Sequence, residues 1–186
     1  MSKMLIGSLV AAAIAFIWQA MSWMALGVHD NTLKYSANQD PILAAIAQNL
    51  TEEGVYAIPN VPPGTSQADH EAFSNAMLGN PSALVHFTPS FHMNMGAQMP
   101  MGFLINLIAA LIMAYVMTKT ATTFGSRLMV GLGFAVFTVF QSSLMMANWW
   151  YTPMHYLSGE IIDTLMGWGL ASVWLAWWFG RKAKTA

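Results

Sequence analysis

Four long apolar runs, at 4–28, 99–118, 128–146 and 157–179, constrain this chain more than any other feature in it. A hydrocarbon core of about 30 Å is crossed by about 20 helical residues rising about 1.5 Å each, and every run reaches that length. Only 8% of the residues are charged, against roughly a quarter in a soluble domain, which excludes an ordinary water-solvated globule. The expected class is an all-α membrane fold with four transmembrane helices and a small α+β extracytoplasmic insert between the first two. Helices are read at 1–28, 99–118, 128–146 and 157–180. The insert covers 29–98, short loops cover 119–127 and 147–156, and a tail covers 181–186.

Orientation follows from the basic residues. Lys3, Lys119, Arg127, Arg181, Lys182 and Lys184 flank the runs on one side and Lys34 stands alone on the other. Excess Lys and Arg mark the cytoplasmic face. Both ends are therefore expected inside, with the insert and the 147–156 loop outside. The first run is read as an uncleaved anchor, because the nearest small-residue cleavage site has Trp18 where a signal peptidase requires a small side chain. Trp149, Trp150, Tyr151 and Tyr156 then fall at the outer interface, and Trp174, Trp177 and Trp178 toward the inner one.

Within the insert, Asp40 and Pro41 read as the start of a helix reaching Leu50. Strands are expected at 55–58 and 83–88. Ser66 with Asp69 three residues later resembles a capping box for a second helix, which Gly79 would terminate. The four elements predict a two-stranded ribbon with helices laid on one face. Gly7, Ala11 and Ala15, with Ser8 and Ala12, form small-residue faces at four-residue spacing, as do Gly131 with Ala135 and Gly167 with Ala171. Such faces let neighbouring helices approach closely.

Two groups of side chains carry chemistry. Counting about 1.5 Å per residue from the cytoplasmic anchors puts Asn106, Gln141, Gln19 and Asp163 about 19 to 27 Å up, with Ser22 beside them. A carboxylate there is a functional candidate by default. The plainer expectation is that Gln19 or Gln141 binds Asp163 as interhelical glue, while His29 and Asp30 cap the first helix at the water boundary. The second group is His86, His92, Met93, Met95, Met99 and Met101, with thioether and imidazole donors that suit Cu(I). Copper is the one cofactor these residues suggest. The chain has no cysteine, which removes thiolate nucleophiles, Fe-S clusters and thiolate zinc sites. It also contains no phosphate loop, nucleophile elbow or H-E-x-x-H pair.

The segment from Phe16-Ile17-Trp18 through Ser22-Trp23-Met24, then His29 and Asn31-Thr32-Leu33, then Gly54-Val55-Tyr56 with Ile58-Pro59, resembles an uncharacterised family of small bacterial inner-membrane proteins. The last helix of that family carries an Asp and a Trp similar to Asp163 and Trp168. The resemblance implies a bacterial inner membrane and the same architecture, and no reaction. The Met-rich run lies outside the family pattern. The sequence thus leads to a non-catalytic accessory or interaction subunit, with extracytoplasmic copper handling as the alternative. Expected partners are the lipid bilayer and other membrane subunits or further copies of the chain. A net charge of -1 without a basic block argues against nucleic acid.

Overall fold

The structure, a computed structural model, describes residues 2–181, so Lys182 and Lys184 lie outside the described residues. It is mostly helical and divides into two units, one built from the chain up to Lys34 and from Asn94 onward, the other from Tyr35–Met93.

The first unit is a bundle of α1 (Ser2–Met24), α4 (Met95–Thr120), α5 (Phe124–Thr138) with its continuation α6 (Met145–Trp150), and α7 (Met154–Gly180). Three stretches are long and apolar enough to cross a membrane: Lys3–Met24, Met95–Thr120 and Phe124–Trp150. A lipid bilayer is the surrounding they suit. Asn94 begins α4 four residues before the apolar run by accepting a bond from the Ala97 N–H at 3.2 Å. Thr123 and Ser126 cap α5 reciprocally, so the link between α4 and α5 shrinks to three residues. A second three-residue link, Tyr151 to Pro153, joins α6 to α7, and Tyr151 turns the chain with φ 51°.

Small residues set the packing. Ser8, Ala11, Ala12 and Ala15 of α1 are buried, as are Gly131 and Ala135 of α5 and Gly167 and Ala171 of α7. A Cβ on Gly131 would collide with Ser172 and Met117, so this contact requires glycine. The α1 and α7 helices run antiparallel from Lys3 to Trp18. Trp178 Nε1 donates to the Lys3 carbonyl at 2.8 Å, Trp174 Nε1 to the Gly7 carbonyl at 2.9 Å, and Gly167 faces Trp18 near the other end.

Between α5 and α6, Val139–Leu144 forms a π-helical segment that the apolar pattern does not disclose. Its cause is legible in the burial. Gly131, Ala135, Val139 and Ser143 are all buried at four-residue spacing, and a pure α-helix would turn such a column about 40° per step away from its neighbours. The wider i→i+5 turn removes part of that drift.

The second unit contains α2 (Gln39–Asn49), β1 (Gly54–Ile58), α3 (Gln67–Met77) and β2 (Ala83–Phe87). The strands pair antiparallel, with Gly54 opposite Phe87 and Ile58 opposite Ala83. Ser66 caps α3 by accepting from the Asp69 N–H at 3.2 Å, and Gly79 follows its end with φ +83°. The first helix starts earlier than expected: Asn38 occupies the cap position, leaving Asp40 in the first turn, where a carboxylate favours the helix dipole. Neither helix buries a residue.

Candidate functional site

The site begins where α1 ends. Ala25 and Leu26 N–H groups close on the Met21 carbonyl, and Gly27 then adopts φ +66°, a left-handed conformation in which a side chain would also meet Asp30. The chain turns back on itself. Thr32 donates both its N–H (3.0 Å) and its hydroxyl (2.8 Å) to the His29 carbonyl, which fixes the next turn. His29 is thereby pressed into the bundle with only 8% of its surface exposed.

Three groups receive the imidazole. Trp23 stacks on its face, with centroids 3.8 Å apart and planes 9° from parallel. Asp163 on α7 accepts from Nε2 through Oδ2 at 2.9 Å. Gly159, one turn before Asp163, lies against the remaining edge, where a Cβ would come within 2.8 Å of both Cε1 and Nδ1. Nδ1 accordingly has no hydrogen-bond partner. The second carboxylate oxygen, Oδ1, accepts from Trp18 Nε1 at 3.1 Å. Among the described residues His29 and Asp163 form the one contact between a basic and an acidic side chain, an ion pair only when the imidazole is protonated.

A carboxylate removed from water is tolerated only when its oxygens are satisfied. Here one N–H donor reaches each oxygen, one from inside α1 and one from the segment beyond it. The cluster therefore ties α1, the turn after it and α7 together at one end of the bundle.

This corrects two expectations. Asp163 is held by His29 and Trp18, with neither Gln19 nor Gln141 involved. His29 is a buried partner of the carboxylate, where a helix cap at the water boundary was expected. Adjacent residues on a helix point about 100° apart, so α1 sends Trp18 toward α7 and Gln19 toward α4. There Gln19 Oε1 accepts from Asn106 Nδ2 at 2.8 Å. Ser22 is fully buried and its hydroxyl is unpartnered. Spacing along the sequence does not single out Trp18 as a site residue. The usable signal is Gly167, four residues after Asp163, which leaves room on that face of α7 for the Trp18 ring.

Gln141 differs from the rest of the polar layer. In the π-helical segment Val139 and Ser143 face inward, and Phe140, Gln141 and Ser142 face out. One to three turns earlier on the same helix, Val130, Gly133, Phe134 and Phe137 line an open apolar groove of about 340 Å³.

The six sulfur and imidazole candidates are divided between the units. His86 on β2 and His92 with Met93 after it belong to the second, while Met95, Met99 and Met101 lie on the opening turns of α4. All six are exposed. Among the described residues no three histidine or carboxylate side chains group in a way that could hold a metal. No family model matches the chain, and no curated protein or solved structure matches it either.

Proposed function

We propose that this is a four-span protein of the bacterial inner membrane. Lys3 and Arg181 lie on the cytoplasmic face and the Tyr35–Met93 unit outside, and the protein serves as a non-catalytic interaction subunit of a membrane assembly. The fourth span is α7. Its tryptophans, its glycines and the acids Glu160 and Asp163 dilute its hydropathy, yet it pairs with α1 from Lys3 to Trp18, so a bilayer that α1 crosses encloses α7 as well. Charge supports the orientation, since Lys3, Lys119, Arg127 and Arg181 flank the helix ends on one side and Lys34 stands alone on the other.

The observation that carries the interaction reading is Gln141. It stands nine residues before Trp150, about 14 Å along the helix from that end, and points away from the bundle. An amide facing hydrocarbon without a partner costs several kcal/mol, whereas a neighbouring protein can satisfy it. Extraction in mild detergent followed by native mass spectrometry tests the reading. The expected result is a species heavier than one chain plus lipid, and a lone chain under every mild condition overturns it.

Copper handling is the second reading, favoured by Met95 and Met99, which sit one turn apart and both exposed on α4. Replacing Met95, Met99 and Met101 with leucine removes it from consideration if the copper content of the purified protein is unchanged.

A further inference from the structure

We infer that the group facing Gln141 is the Gln141 of a second copy of this chain. The inference rests on the interaction reading and names its partner. Outward side chains on the other spans at comparable depth, such as Ile17, Leu104 and Ile108, are apolar and are covered by lipid without penalty. Gln141 is not, and it is too far from either helix end for its amide to reach the headgroups.

Complementarity selects the occupant. A primary amide carries one carbonyl acceptor and two N–H donors, so two of them facing each other form two reciprocal bonds, each carbonyl accepting one N–H of the other and one N–H per side left over. A two-fold axis along the membrane normal produces that arrangement, because both copies are inserted the same way and equal depths meet. A charged partner would have to be desolvated at this depth, which hydrocarbon penalises far more than an amide pair.

The rest of the face suits a self-contact. A Cβ on Gly133 would meet nothing within 4 Å, so the backbone is bare two turns before Gln141 and a second helix can approach closely there. Phe137 and Phe140 flank this notch with 65% and 59% of their surfaces exposed, and the groove at Val130, Gly133 and Phe134 offers apolar surface to receive them. Ser142 adds a hydroxyl beside the amide pair.

The test is photocrosslinking of the full chain in its native membrane, with a benzophenone-bearing phenylalanine analogue in place of Phe140. The expected product is an adduct of twice the chain mass, reduced at least tenfold by Gln141→Leu. Leucine on this outward position preserves the bundle, and retention of the Trp23–His29 stack by near-ultraviolet circular dichroism checks that it has. An adduct with a different protein overturns the second copy and leaves the interaction reading standing. Labelling of lipid alone overturns both at this face.

Discussion

Asp163 receives a hydrogen bond on each carboxylate oxygen, and His29, whose Nε2 lies 2.9 Å away, comes from 134 positions earlier in the chain. The contact fastens the turn after α1 to the first half of α7, at one end of the bundle. Because the two residues are buried together, removing one leaves the other without compensation, which is more damaging than removing both.

His29→Ala is therefore expected to destabilise the bundle by about 3–5 kcal/mol. The double change His29→Phe with Asp163→Leu should cost clearly less than the sum of its parts. Reversible unfolding in mixed detergent micelles measures both. Additive losses would mean that the pair is not coupled.

Gly159→Ala should cost about 1–3 kcal/mol through overpacking, since the added methyl meets the imidazole edge and the Thr32 methyl. Gly133→Ala, whose methyl meets nothing, should leave the isolated chain as stable or more stable by up to about 1 kcal/mol through helix propensity. Equal effects at the two positions would contradict the tight contact at His29.

Gln19 and Asn106 join α1 to α4 by one neutral bond. A double-mutant cycle with leucine at each position should give a coupling of about 0.6 kcal/mol and no more than about 1.7 kcal/mol, the average and maximum found for polar contacts between membrane helices. A coupling indistinguishable from zero would place the two amides on water or lipid instead.

The natural chain lacks cysteine, so single introduced thiols report topology without background. In intact spheroplasts, Ser82→Cys in the second unit should react with a membrane-impermeant maleimide, while Thr122→Cys between α4 and α5 should react only after lysis. Labelling of both from outside would overturn the proposed orientation.

Much of the architecture is legible in the sequence. Helix positions follow from the length of the apolar runs, and both strands follow from β-branched and aromatic residues bounded by Pro and Gly. The buried small residues follow from four-residue spacing. The acid's partner was not legible, because His29 stands five residues beyond the end of α1 and only the left-handed turn at Gly27 returns it to the bundle. Nor was the outward direction of Gln141, because the π-helical segment alters the rotation per residue and displaces every side chain after Val139. Depth can be counted along a helix; facing cannot, once the pitch changes.

The three-residue link at Tyr151–Pro153 also bears on how the protein is made. From Leu128 to Gly159 there is no Asp, Glu, Lys or Arg, and the link is too short to be delivered separately from the helices on either side. In the proposed orientation α5–α6 and α7 can thus partition out of the translocation machinery together, as a hairpin whose tip carries no formal charge across. The segment between α1 and α4 must instead be exported with six of the eight acids. The two halves of one small chain then place different demands on insertion, and those demands are separable by depleting export ATPase and insertase activities one at a time.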